Sequence, residues 1–167
     1  MSIVPAAALV VFVPMVIEAV VSARHDRALR ALGAVEPSGD VYRAMQVAYP
    51  AAFLVLIAEG AWRGAGPGLV ATAGAGVFLA AKALKYWAIA SLGTRWTFRV
   101  LVPPGSPRIS RGPYRWLAHP NYIAVALELT GAALAMRARV AGPVAVLLFS
   151  LLMFRRIQIE EKALAGR

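Results

Sequence analysis

The residues best equipped for chemistry lie in two short segments of this chain. Arg111 to Tyr122 reads RGPYRWLAHPNY, a polar, basic and aromatic island between long apolar runs, and RRIQIEEKAL begins at Arg155. In the island, Pro113 follows a glycine and Pro120 follows His119, immediately before an apolar stretch. Proline in the first turn of a helix loses no hydrogen bond and keeps the residue before it out of helical geometry. His119 is therefore expected at the mouth of a helix, where the helix N-terminus favours an anionic group such as a carboxylate or phosphate. In the second segment Arg156 and Glu160 stand four residues apart and share one helical face. By itself such a pair is an exposed ion pair contributing about 0.2–0.5 kcal/mol. Directly after a membrane span and opposite the island, it can also hold a ligand. The carboxylate can meet a cation or hydroxyls, and the guanidinium can orient an anionic oxygen bidentately. His25 is the only other histidine, so no metal site is expected.

The elements that must carry these residues are apolar helices. Of 167 residues, 60% are hydrophobic and 16% charged, against about a quarter charged in soluble domains. Five runs approach the roughly 20 residues of a spanning helix: Ile3 to Val21, Ala44 to Trp62, Pro67 to Ile89, Pro120 to Met136 and Val140 to Phe154, the last two being short. The expected fold is an all-α integral membrane protein of about five transmembrane helices, in one domain. No Lys or Arg precedes the first run, which is expected to remain as a helix and not to be removed as a signal. Without cysteine, disulfides, thiolate metal sites and a thiol nucleophile are excluded.

The net charge of +10 collects in particular loops. Arg24, Arg27, Arg30 and Arg43 lie between the first two runs; Arg95, Arg99, Arg108, Arg111 and Arg115 between the third and fourth; Arg155, Arg156, Lys162 and Arg167 after the fifth. The two other loops carry only Arg63, and Arg137 with Arg139. Positive-inside bias places the N-terminus outside and the long loops and C-terminus in the cytoplasm, which explains the charge better than nucleic acid does. Both inner connections run past 20 residues, a length that is usually functional. Val102 to Pro113, dense in proline and glycine, is expected to be a shaped loop. Trp62 at the outer boundary and Trp87, Trp96 and Trp116 at the inner one fit an aromatic belt, and Gly76 with Ala80 offers a small face for helix packing.

Several ionisable residues then fall inside the membrane. Glu18, Lys82 and Lys85 sit near the inner ends of their helices, and Glu128 lies about two turns past Pro120. The lysines can snorkel to headgroups, Glu18 can pair with one of them, and Glu59 beside Trp62 is expected to be solvated or loosely paired. Glu128 lies so deep that it must be protonated, paired or facing a cavity, which makes it a candidate for substrate contact or catalysis.

The sequence GPYRWLAHPNY, followed by a helix, a short turn, a second helix and RIQIEEKAL, resembles the C-terminal half of the isoprenylcysteine carboxyl methyltransferase family. SARHDRALRALGAVEPSGDVY and LGTRWTFRVLVPPGSP extend the similarity over nearly the whole chain, toward the bacterial branch associated with type III polyketide synthases. That branch O-methylates long-chain alkylpyrones or alkylresorcinols. The resemblance implies S-adenosylmethionine as cofactor, held on the cytoplasmic side by Tyr114, His119, Pro120 and Tyr122, by the backbone around Trp116 and Leu117, and by Glu161. Arg156 and Glu160 match the family's R-x-x-x-E pair near the reacting groups. Where the family carries Arg before His-Pro this chain has Ala118, so Arg115 or Arg111 is expected to supply that charge. The tyrosine-containing tail common in the family is not found after Glu161, and its contacts are not expected. The cofactor half is expected over about 91–167, with a lipophilic substrate arriving from the membrane and a functional link to a type III polyketide synthase.

Methyl transfer of this kind rests on positioning and desolvation. A carboxylate nucleophile needs no base and would be oriented by Arg156, whereas a hydroxyl would draw on Glu128 or Glu160. Two other classes compete. An NADPH-dependent membrane lipid or sterol reductase can share His-Pro-Asn-Tyr, and a small transporter would use Glu128 and the lysines as a path.

Overall fold

The computed structural model describes residues 2–105 and 109–165, without the side chains of 164 and 165. Arg108 and Arg167, and Ser106 and Pro107 of the turn-rich segment, lie outside the described residues. Five α-helices follow one another: α1 (Val4–Ala31), α2 (Tyr42–Trp62), α3 (Leu69–Leu92), α4 (Pro120–Ala135) and α5 (Ala141–Ala165). Short 3-10 turns occupy Gly93–Arg95 and Gly112–Arg115. A single antiparallel bridge joins Val35 to Val102.

Four helices are long and apolar enough to cross a membrane: α1, α2, α3 with its following turn, and α5. The fifth run behaves differently. α4 has 16 residues, about 24 Å at 1.5 Å per residue, shorter than the roughly 30 Å hydrocarbon core. Pro120 starts it and a left-handed Arg137 (φ 52°) stops it. There Ala138 N–H donates to the Ala133 carbonyl and Arg137 N–H to that of Leu134, at 2.9 and 3.1 Å, which closes the last turn. Ala124, Glu128 and Leu129 of α4 are buried, while Leu9, Val16 and Ile17 of α1 and Leu147, Leu148 and Phe154 of α5 point outward. The bundle thus buries one face of its short helix, leaving Ile123, Leu127 and Leu134 outward, and turns apolar side chains outward, as lipid requires.

The α3–α4 contact is the closest in the bundle, and glycine makes it possible. A Cβ on Gly74 would lie 2.4 Å from the Ala135 nitrogen, and one on Gly131 would lie 2.5 Å from the Phe78 nitrogen. The expected packing face of Gly76 and Ala80 is displaced: both are exposed, and open space surrounds Gly76. Phe53, Leu56, Phe78, Leu129, Met136 and Phe149 fill the core next to this seam. Phe53 meets Tyr49 and Phe78 edge-on, with ring centroids 5.0 and 6.3 Å apart.

At the end of the bundle away from the island, Glu59 is bound firmly instead of solvated. Its carboxylate accepts from the backbone N–H groups of Arg139 (3.0 Å), Val140 (3.2 Å) and Ala141 (2.7 Å), and pairs with Arg63 at 2.6 Å. One α2 side chain thereby caps the free N–H groups that begin α5. Trp62, Trp87 and Trp116 are exposed, but Trp96 is not a belt residue: it is 3% exposed, packed against His25 and Phe98.

Candidate active site

The island, the 96–102 segment and the end of α5 meet at one end of the bundle. His119 is the N-cap of α4, with non-helical backbone angles (φ −134°, ψ 64°), and Pro120 occupies the first turn. This turns His119, Asn121 and Tyr122 toward α5, where Arg156, Glu160 and Glu161 follow at helical spacing. Together with Tyr114, Ala118 and Arg95 they line a cavity of about 340 Å³, polar along this side and apolar along Leu92, Val100, Leu101, Val102 and Ile109. Of the residues singled out in the sequence, Tyr114, His119, Tyr122, Arg156, Glu160 and Glu161 come together here. Arg115, Trp116, Leu117 and Pro120 do not line it. Arg115 and Trp116 are exposed, with the guanidinium 5.4 Å from the indole centroid, and Pro120 is fully buried beneath the turn.

Tyr122 is the centre of a polar chain. Its hydroxyl donates to Glu160 Oε2 (2.9 Å) and accepts from Arg156 Nε (2.9 Å). Arg156 also donates from Nη1 to Asp40 Oδ1 at 3.2 Å and from Nη2 to the Phe98 carbonyl at 2.5 Å. Asp40 in turn accepts from the Val100 N–H at 3.3 Å. His119 Nε2 lies 3.0 Å from Glu161 Oε1, and Nδ1 lies 3.9 Å from Glu160. The imidazole therefore faces carboxylates, in place of the anionic group expected at the helix mouth. Burial, reinforced by the Glu160 carboxylate, pushes the Tyr114 phenol well above the ordinary tyrosine value, so it stays a neutral hydrogen-bonding group.

A second cavity, of about 420 Å³, lies between α1 and α2. Met15, Val16, Met45, Pro50, Val125 and Phe149 give it apolar walls. Thr97, Asn121, Tyr122 and Arg156 belong to both cavities. The two spaces, one gathering Arg95, Arg99, His119, Glu160 and Glu161 and the other walled mainly by apolar side chains, therefore share a wall. Asn121 lines both spaces and Asp26 the second, but Asn121 Oδ1 and Asp26 Oδ1 are themselves closed off from them and have no hydrogen-bond partner.

Glu128 lies elsewhere, in a closed cluster. Lys82 Nζ is 3.0 Å from Glu18 and 3.2 Å from Glu128, and Lys85 Nζ is 2.6 and 3.4 Å from the same carboxylates. The Tyr49 hydroxyl donates to Glu128. Neither lysine snorkels: they are 8% and 2% exposed, turned inward because α1 and α4 each present a carboxylate. Two cations meet two anions, so burial leaves no unbalanced charge. Among the described residues no group of three or more His, Asp or Glu could hold a metal ion.

Asp40 and Asn121 join this arrangement although the sequence did not single them out. Asp40 reaches Arg156 across 116 positions, from a loop whose Gly-Asp pair reads only as a turn. Asn121 stood within the island but resembled a filler between Pro120 and Tyr122.

Residues 74–166 match the Isoprenylcysteine carboxyl methyltransferase (ICMT) family. The chain is also 33% identical over 147 residues to the uncharacterized protein YpbQ of Bacillus subtilis (strain 168), covering 88% of each chain. It is 26% identical to an uncharacterized protein of Haemophilus influenzae (strain ATCC 51907 / DSM 11121 / KW20 / Rd), over 87% of this chain and 85% of the relative. No solved structure matches. Each cavity residue contributed by the island and by α5 lies within the matched range, and the chain belongs to the isoprenylcysteine carboxyl methyltransferase family of S-adenosylmethionine-dependent membrane enzymes.

Proposed function

We propose that this protein transfers the methyl group of S-adenosylmethionine to an oxygen of a long-chain lipid, in a bacterial inner membrane and with its polar cavity facing the cytoplasm. The observation that carries this reading is the shared wall of Thr97, Asn121, Tyr122 and Arg156 between a polar and an apolar cavity. A water-soluble donor and a membrane-soluble acceptor can meet only where such spaces adjoin.

The polar cavity suits the donor. Its volume of about 340 Å³ lies in the usual range for small-molecule sites, roughly 300–1,000 Å³. Glu161 offers an acceptor for an ammonium or a ribose hydroxyl, and the arginine-bearing 95–99 segment faces an α-carboxylate. When bound, S-adenosylmethionine supplies an electrophilic methyl on a sulfonium. The protein's own part is positioning and exclusion of water. Tyr122, held between Arg156 and Glu160, fixes the wall where the oxygen must sit. The apolar cavity takes the chain of a lipid arriving between α1 and α2. Long-chain alkylpyrones, alkylresorcinols and prenylcysteine-like lipids all satisfy that cavity, and a type III polyketide synthase is the matching source for the first two.

Titrating the detergent-solubilised protein with S-adenosylmethionine and, separately, with NADPH tests this reading. Saturable binding of the first only is expected; binding of NADPH alone would replace methyl transfer by lipid reduction. Incubating membranes with methyl-labelled donor and a panel of these lipids then identifies the acceptor by the product that carries label.

A further inference from the structure

The end of the bundle away from the island also carries charge, and there it is not answered. Of the eight carboxylate side chains, Glu59 stands at that end, taken up by Arg63 and by the N–H groups that begin α5. The other seven pair within the square or at the island end. Arg137 and Arg139 follow α4, both exposed, and among the described residues no carboxylate pairs with either guanidinium. Arg137 is also the one described residue other than glycine with a positive φ, 52°. Glycine would end α4 there without steric cost, so the strained backbone serves to place a guanidinium. Its Nη2 lies 2.5 Å from where a Cβ on Gly68 would stand, at the start of α3. Gly74 packs on Ala135, and from that level α3 runs six residues back to Gly68 while α4 runs two on to Arg137. At 1.5 Å per residue the start of α3 stands about 6 Å past the end of α4. The α4–α5 turn is therefore recessed, and Arg137 climbs beside α3 as a snorkelling side chain does. It meets an α3 N-terminus with no side-chain cap and no acid in its first turn, whose partial positive charge repels it. Beneath the recess lies a groove of about 590 Å³, lined by both arginines and walled by Val70, Ala133, Leu134 and Val146. Cations beside an apolar groove in a membrane protein need a counter-charge. An occupant that is anionic at one end and apolar at the other is a lipid with a negative head.

We propose that this groove holds an anionic glycerophospholipid of the leaflet opposite the methyl-transfer site, its phosphate against Arg137 and Arg139 and the upper part of one acyl chain along α4 and α5. A zwitterionic head brings its own cation and leaves the second guanidinium unanswered, whereas a head of net negative charge matches the pair. The groove shares no lining residue with either cavity of the active site. Its lipid is therefore a bound component of the fold and not the methyl acceptor, and the site stands whatever reaction the other end performs.

The test reads occupancy of the groove itself. The chain has no cysteine, and Leu69, 87% exposed, adjoins Val70 of the groove, so Leu69→Cys takes a fluorophore at that place alone. The labelled full chain in detergent is titrated with phosphatidylglycerol and with phosphatidylcholine, each carrying a nitroxide on its acyl chain near the head, and quenching is followed. Half-quenching is expected at a phosphatidylglycerol concentration lower by on the order of tenfold. Arg137→Gln with Arg139→Gln should bring the two lipids within about twofold of each other. Arg24→Gln with Arg155→Gln removes the same charge at the island end and should leave the ratio unchanged. Should the groove double variant not fold, Arg139→Gln alone should lower the ratio about threefold. Equal quenching by the two lipids before the arginines are changed overturns the proposal, as does a ratio that survives their loss. So does release of phosphatidylglycerol by millimolar inorganic phosphate beyond that caused by chloride at equal ionic strength, which would assign the arginines to a free anion.

Discussion

Two charged clusters built from similar side chains do opposite things in this bundle. Glu18, Lys82, Lys85 and Glu128 form a closed square, each lysine within 3.4 Å of both carboxylates. Asp40, Arg156, Tyr122 and Glu160 form an open chain whose middle members, Arg156 and Tyr122, stand on the wall between two cavities. The square meets a cavity only through Lys85, beside Tyr49. Depth in the membrane therefore does not distinguish a site from a clasp. What distinguishes them is whether a polar atom has a free face toward a space that a ligand can enter.

The sharpest way to break this comparison is to open the square. Glu128→Ala leaves two buried lysines with one carboxylate, and removing one partner of a buried ion pair costs about 3–5 kcal/mol. Chemical unfolding in detergent should show a loss of that size, while the fraction that remains folded keeps its affinity for the methyl donor. A Glu128→Ala protein of normal stability that has lost methyl transfer would make the square a catalytic group and remove the distinction.

Glu160→Gln is the complementary change. Its partner Tyr122 keeps an acceptor, so stability should hold within about 0.5 kcal/mol, the usual range for substitutions away from tightly packed features. Turnover should drop on the order of a hundredfold, the lower range for loss of a general base. Assays at saturating donor and acceptor separate this from weaker binding. Unchanged turnover would move the base elsewhere, and a large loss of stability would place Glu160 in the same category as Glu128.

The contrast between the clusters was only half visible in the amino-acid order. The runs of apolar residues, with Pro120 and the glycine-rich turns between them, locate the helices because spanning segments need length and turns need special backbone angles. The spacing of His119, Tyr122, Arg156 and Glu160 brings them to the same end of the bundle because each follows from a helix start or a helical repeat. Three features depend on tertiary contact instead. Lys82 and Lys85 share a face at any helix rotation, but only Glu18 and Glu128 decide that the face turns inward. Gly74 and Gly76 are equally small, and the position of Gly131 selects the first as the contact. Asp40 sits in a loop with no periodicity, so nothing local ties it to Arg156.

A smaller test concerns how the 96–102 segment is held against the site. Val35 and Val102 exchange backbone hydrogen bonds at 3.4 and 3.3 Å, and beside them Glu36 accepts from Arg30 at 2.7 Å and from Arg99 at 2.8 Å. Arg99 also lies 3.3 Å from Asp26 and over the Tyr42 ring at 4.2 Å. Partial burial raises the Glu36 carboxyl, but hydrogen bonds and charge from Arg30 and Arg99 outweigh it, and the net displacement is below the ordinary glutamate value. A carboxyl depressed in the folded state adds stability above its unfolded pKa and loses it as pH falls through the folded value. Because the pair lies at the surface, with the Glu36 side chain 25% exposed, Glu36→Gln should cost on the order of 0.5 kcal/mol at neutral pH. The difference from wild type should shrink as pH falls below the ordinary glutamate value of about 4.3, vanish only below the depressed folded value, and shrink in 1 M salt, where the screening length is about 3 Å. A thermal-shift series across pH 3 to 8, at low and high salt, reads both trends. A penalty independent of pH would mean that Glu36 holds the segment by packing, and that charge matters only in the two buried clusters.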